Sequence, residues 1–294
     1  MKTIDPREIS VPELHSYLLG SIGPRPIALA STVDEHGNRN LSPFSFFNIF
    51  SANPPIAIFS PARRGRDKTT KHTYENVKLV PEVCINVVNH DIVQQTSLAS
   101  TEYSKETDEF IKSGLTPLAS VLIKPARVAE SPVQMECRVK EVVELGTGGG
   151  AGNLIISEIL MIHISDDVLD DKGAIDQYKI DLVGRMGGNW YTRARSGLFE
   201  VEKPISTLGI GVDNIPGEIR LSLILSGNDL GMLGNIESIP DMKDVADYSN
   251  KHLKQLTEGV SKKDLTSVLH EAAKNALSNG KVEDAWKILL AEKL

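Results

Sequence analysis

38-NRNLSPFSFFNIFSANPPIAIFSP-61 is the stretch on which the reading of the chain turns. Four of the seven phenylalanines, Phe44, Phe46, Phe47 and Phe50, sit within seven residues of it, mixed with Ser42, Ser45 and Asn48 and followed by Asn53-Pro54-Pro55. A strand buried on both faces has no use for so many small polar groups, and a surface loop gains nothing from so many rings. Strand alternation reconciles the two, because neighbouring side chains point to opposite faces: rings can fill a core while hydroxyls and amides face something bound. Phe47 and Phe50 are expected to point inward.

Outward from this stretch the pattern repeats. PRPIALASTV (24–33) is followed by the turn signal DEHG, and then come PIAIFS (55–60), EVCINVVN (82–89), SVLIKPARVAE (120–130), VQMECRVKEVVEL (133–145) and LIISEILMIHIS (154–165). Many short strands with few crossover helices predict an antiparallel barrel or sandwich. HDIVQQTSLAS (90–100) and KETDEFIKSG (105–114) read as short helices between strands. After about residue 200 the character changes. A glycine-rich apolar run reads as a packed extension, and the last fifty residues as helices. Ser261 opens SKKDLTSVLHEAAKNALSNG with a Ser-x-x-Asp cap, Leu265, Val268, Leu269, Ala272, Ala276 and Leu277 form one stripe, and Asn279-Gly280 supplies the stop. Val282, Trp286, Leu289 and Leu290 share a face of a further short helix. The division expected is residues 1–200 and 201–294.

The net charge of −7 argues against a general affinity for nucleic acid or an anionic membrane. The start has acids and prolines where a leader would be apolar, and no stretch approaches the roughly 18 uncharged residues of a membrane span, so a cytoplasmic protein is expected. Cys84 and Cys137 lie in strand-like runs without metal spacing and are expected as buried thiols. No metal site or catalytic order can be read from the seven histidines, and no catalytic side chain is assigned.

Against this acidic background, 63-RRGRDKTTKHTYEN-76 places Arg63, Arg64, Arg66, Lys68 and Lys71 around one acid, Asp67, with Gly65, Thr69, Thr70 and Thr73 between them. Such a segment can hold a phosphate through charge, hydroxyls and the N–H groups of a helix starting near Thr69; a solvated loop of charges is the plain alternative. Because it directly follows the aromatic stretch, a ligand with a flat ring system and a phosphate tail, such as flavin mononucleotide, would meet both. In 184-GRMGGNWYTRARSG-197, Arg185, Trp190 and Tyr191 bring a cation and two rings together, as a ring-contacting site or as an ordinary turn. GTGGGAG (146–152) lacks a P-loop ending and reads as a flexible hairpin loop or lid.

Taken in order, GPRPIALAST, NLSPFSFFN with NPPIAIFS, KHTYENV, CINVVN, DEFIKSGLTP, KPARVAESPVQMECRV, GNLIISEI with HISDD, and RMGGNWY resemble the flavin reductase-like family from Gly23 to Tyr191. The resemblance is to its FMN-binding split-barrel proteins, including the flavoredoxin-like long form. It implies a mainly β fold with added helices, a six-stranded Greek-key split β-barrel, and a homodimer. It implies non-covalent FMN, NADH or NADPH as electron donor, and a flavin or redox protein as acceptor. The function implied is an NAD(P)H:flavin reductase or flavoredoxin-like electron-transfer protein, with a non-catalytic FMN-binding carrier or scaffold as the alternative. Carried over by position, Asn40, Ser42, Pro43, Phe44, Ser45, Phe46 and Asn48 would line the ring system and ribityl chain. Ser60, Arg66, Lys71 and Thr73 would approach the phosphate, and Arg25, Arg185 and Tyr191 would close the ring end. Two departures stand out: Lys71-His72-Thr73 replaces a Lys-Asp-Thr common in long-form relatives, and the GGGAGN loop lacks the histidine that many short-form reductases use beside nicotinamide.

Overall fold

Pro43 has no N–H to give a ladder, so a strand containing it belongs at a sheet edge. In the computed structural model, which describes residues 1–201 and 208–294, this is where it lies. Strands β1 (Ala28–Val33), β2 (Arg39–Phe44), β3 (Phe47–Ala52), β4 (Pro55–Phe59), β5 (Glu82–Val87), β6 (Val133–Glu144) and β7 (Asn153–Ile164) form one antiparallel sheet in the order β2-β1-β5-β6-β7-β4-β3. Pro43 sits opposite Leu29 on the β2 edge. The neighbouring outward donor, Leu41 N–H, is satisfied by the Glu109 carboxylate at 3.0 Å.

The expected six strands are seven in the main sheet. The difference arises at Ser45-Phe46, where one run of chain bends, so that β2 forms one edge of the sheet and β3 the other. The two edges are therefore successive segments of one stretch, joined through Ser45 and Phe46. Bulges in the β6–β7 hairpin, at Glu136/Cys137 and Val139/Glu141, add coiling to the longest strands.

The aromatic stretch divides by face. Phe44 and Phe59 meet at 5.3 Å between ring centroids inside a core with Ala28, Ala30, Ala57, Ile85 and Ile155, and Phe47 packs against it. Phe50 does not point inward: it is 66 % exposed. Ile49 pairs with Ala57 and Ser51 with Ile56, which leaves Phe50 as the extra residue of a bulge and breaks the alternation.

SVLIKPARVAE is not a strand beyond Arg127–Val128. Its backbone is tied instead to a fully buried carboxylate, Glu136, which accepts from Val121 N–H at 2.8 Å and Leu122 N–H at 2.6 Å and also contacts His163 Nε2 at 2.7 Å. Lys124, Pro125 and Arg127 cut its apolar alternation short, and a side chain from β6 takes the ladder's place. Both cysteines are buried and unpaired, and burial pushes Cys137 up to about 12.

The helices of this part are α1 (Val11–Ser21), α2 (His72–Leu79), α3 (Val93–Leu98) and α4 (Glu109–Ser113). α2 covers the core through Val77. Gly114, at φ +68°, ends α4 in the left-handed region that glycine adopts without strain.

The chain divides into two compact units, Met1–Phe199 and Glu200–Leu294. Residues 204–207 of the glycine-rich run lie outside the described residues. In the second unit α5 (Gly227–Gly234) starts at a capping box between Ser226 and Asp229, α6 (Met242–Tyr248) at Asp241, and α7 (Lys262–Ser278) at Ser261; α8 is Val282–Leu290. Leu233, Leu253, Leu269, Ala273, Leu277, Trp286 and Leu289 form its core. His270 is buried there, with Nδ1 2.7 Å from Ser222 Oγ and no partner at Nε2 among the described residues. Burial lowers its pKa below the ordinary 6.5, with Glu292 opposing. The unfolded chain therefore binds the proton more readily than the folded one. Protonation of His270 therefore leaves stability unaffected above pH 6.5 and destabilises the unit as pH falls below it. Thermal unfolding of α7 and α8, followed by hydrogen exchange, should show this acid slope, and His270→Gln should flatten it.

Candidate functional site

Two recesses in the first unit gather most of the polar residues singled out from the sequence. The first is lined by Asn40, Ser42, Arg64, Lys71, His72, Thr73, Glu102 and Glu109, among others. It forms at the free edge of β2, where the start of α2 and the loop after α3 converge. Lys71 is the N-cap residue of α2, which places its side chain and the first N–H groups of the helix at one mouth.

The donors in this recess are fixed from behind. Asn40 Nδ2 donates to Thr32 Oγ1 at 3.2 Å and to Thr73 Oγ1 at 3.0 Å, and Asn76 Nδ2 donates to the same Thr32 hydroxyl at 3.1 Å. Thr73 Oγ1, accepting from Asn40, keeps its own proton to give. Arg64 is held by Thr69 Oγ1 at 3.0 Å and by the Thr70 carbonyl. His72 is partly buried, which holds its pKa below the ordinary value and favours the neutral ring, with Glu75 opposing. The Glu109 carboxyl is pushed up by burial, against the Leu41 N–H it accepts.

Three cations meet one carboxylate here. Glu102 lies 3.1 Å from Arg64 Nε, 2.5 Å from Arg66 Nη2 and 3.2 Å from Lys71 Nζ. Hydrogen bonding from Lys71, with Arg66 and Arg64 adding their charge, holds the Glu102 carboxyl below its ordinary value. A carboxylate has two of the acceptor oxygens that a phosphate presents, so this donor set has the charge and hydrogen-bonding groups that an anion of phosphate type would use. Of the two arginines, Arg64 is the inner one, its side chain 14 % exposed against 71 % for Arg66. The sequence put Arg66 forward; Arg64 and Glu102 complete the cluster. Nothing in local spacing pairs Glu102 with Lys71, 31 residues away.

The second recess, of about 450 Å³, lies between α3 and a small ribbon, β8 (Val183–Arg185) with β9 (Tyr191–Arg193). His90, Gln94, Ser97, Arg185, Asn189, Tyr191 and Arg193 line it with others. The Arg185 guanidinium stands over the Tyr191 ring at 4.6 Å. Arg193 is neutralised by Asp181, with Nε 2.9 Å and 3.0 Å from its two oxygens. Arg185 has no carboxylate partner among the described residues, which leaves it as the available charge.

Other positions fall elsewhere. Arg25 is buried, and its guanidinium donates to the carbonyls of Leu19 and Met186 at 2.8 Å each and to that of Ile22. It joins the end of α1 to the turn after β8 and borders neither recess. Phe44 faces the core, Pro43 lies on the β2 edge and Ser45 is half-buried, whereas Phe46 and Asn48 are exposed. Phe46 meets His15 edge-on at 6.3 Å between ring centroids.

Ser60 belongs to the hairpin base. A Cβ at Gly152 would stand 2.7 Å from Ser60 Oγ, and one at Gly149 2.7 Å from the Gly65 carbonyl. The GTGGGAG loop is accordingly docked along residues 60–65, with Arg63 N–H to the Ala151 carbonyl at 2.8 Å and Gly150 N–H to the Arg63 carbonyl at 3.0 Å. It is a hairpin as read, but a bonded one in place of the flexible loop expected.

Comparison with known proteins agrees with the residue pattern. The family described as flavin reductase like domain matches residues 20–179. An uncharacterized protein of Aquifex aeolicus is 34 % identical over 181 residues, 62 % of this chain and 90 % of that protein. Among solved structures, nitrilotriacetate monooxygenase component B from Bacillus cereus superposes with a TM-score of 0.64 at 27 % identity, over 68 % of this chain and 98 % of that one. A candidate flavin reductase with a split barrel domain from Shewanella frigidimarina gives 0.58 at 27 % identity, over 67 % and 95 %. Among the described residues no helix is long and apolar enough to cross a membrane.

Proposed function

The chain belongs to the flavin reductase-like family, and on that premise we propose that it is an FMN-dependent oxidoreductase that takes electrons from NADH or NADPH and passes them to free flavin or a redox protein. The observation that carries FMN is the Arg64–Arg66–Lys71 cluster, whose three cations converge on the Glu102 carboxylate, in an otherwise acidic chain. Bound FMN would supply hydride-accepting and electron-transferring chemistry.

The protein's own share is binding and charge. Arg64 and Lys71 would hold the phosphate, and Thr73, steadied by Asn40, would donate its hydroxyl proton to it. Arg185, without a carboxylate partner among the described residues, would balance negative charge at the ring end, with Tyr191 keeping its guanidinium in place. No side chain is required as general acid or base for such a transfer. A homodimer is part of the proposal. Supporting it, α1 buries none of its residues, and Val11, Leu18 and Ile22 with Ile49 and Phe50 of β3 are exposed apolar side chains of one unit.

The deciding experiment is anaerobic stopped-flow mixing of FMN-loaded protein with NADH and with NADPH. Bleaching of the oxidised flavin bands with either is expected. Retained FMN without bleaching by either would leave a flavin carrier, and a colourless protein that does not take up added FMN would refute the proposal.

A further inference from the structure

The donors of the first recess are arranged for an anion, yet the free space between them is only about 30 Å³. That is room for a water or two. The space is small because Glu102 already occupies it, its carboxylate satisfying Arg64, Arg66 and Lys71 together.

The two sides of this contact are not equally anchored. Arg64 is fixed by Thr69 and Thr70, and Lys71 by its place at the start of α2, so both remain when the carboxylate leaves. Glu102 is held differently. Among the described residues its carboxylate has no partner except these cations, it is more than a third exposed, and it sits on the short loop between α3 and α4. Partly exposed ion pairs of this kind are individually weak, so exchange for a stronger anion is inexpensive. A phosphate monoester carries more charge than one carboxylate and offers three acceptor oxygens.

We infer that Glu102 is a displaceable internal anion that fills the phosphate seat of the free protein, must swing out for a ligand to enter, and thereby selects phosphate monoesters over less charged groups. The inference rests on the proposed use of this recess for the FMN phosphate. It gives the loop at 99–104 a role: a ligand lacking a dianionic end, such as riboflavin, cannot repay the displacement and leaves the seat closed. The same carboxylate keeps three like charges from repelling one another while the seat is empty.

The test is fluorescence titration of the flavin-free full chain, wild type and Glu102→Gln, with FMN and with riboflavin, alongside hydrogen exchange at residues 99–104. Glu102→Gln keeps shape and volume while removing the charge. It should bind FMN about tenfold more tightly, the combined strength of weak, partly exposed ion pairs. Riboflavin affinity should stay unchanged, and exchange at 99–104 should rise in the wild type on FMN addition and be high from the start in the variant. Weaker or unchanged FMN binding in Glu102→Gln, or slower exchange at 99–104 on FMN addition, would overturn the inference and make Glu102 an organiser of the cations. If FMN and riboflavin bind equally in both proteins, the phosphate reading of the recess itself fails. A preference for FMN that the variant does not sharpen removes only the displacement.

Discussion

Replacing Arg64 and Lys71 together by alanine should lower FMN affinity by about 3–6 kcal/mol, two to four powers of ten, since a charge-assisted hydrogen bond contributes ~1.5–3 kcal/mol. Lys71→Ala alone should cost about 1–3 kcal/mol. Riboflavin affinity should hardly change in either variant, because the effect lies at the phosphate. The Arg64 and Lys71 side chains are 14 % and 31 % exposed, so water can replace only part of what they give. Titration of the stripped protein measures all of this directly. Undiminished FMN affinity in the double variant would remove the cluster from the site and with it the main support for a phosphate-bearing ligand.

Trp286→Ala is expected to cost the C-terminal unit about 3–5 kcal/mol, the range for deleting a large buried aromatic side chain. Trp286 is fully buried among Leu233, Leu269, Leu277 and Leu289. Its indole N–H also donates to the Leu233 carbonyl at 3.0 Å, one of the acceptors left over at the end of α5. Truncation therefore opens a cavity and strands a polar group in one step. Hydrogen exchange across α7 and α8 should accelerate by orders of magnitude. Protection equal to the wild type would show that this residue does not organise the unit.

Much of the fold could be read along the chain because the signals are local. The short apolar runs between turn signals mark strands, and Ser261 with Asn279-Gly280 brackets the helix over 262–278. The misreadings share one cause. At 120–126 a segment with strand-like composition is held by Glu136 from another strand, and at Phe50 a bulge shifts the side chain to the other face. A count of six strands became seven because Ser45-Phe46 bends one run into both edges of the sheet.

By itself the sequence determined that an acidic chain concentrates cations at 63–71, next to an aromatic strand, in the motif order of one family. Charge, ring content and residue order are properties of the chain and need no folding to be seen. The tertiary structure alone decided which of those groups work together. It brought Arg64 inside and left Arg66 outside, turned Phe44 into the core, committed Arg25 to backbone carbonyls, and set Glu102 among three cations. Direction and burial depend on partners far off in sequence, and an electrostatic contact is strong or weak according to how much water the fold leaves around it.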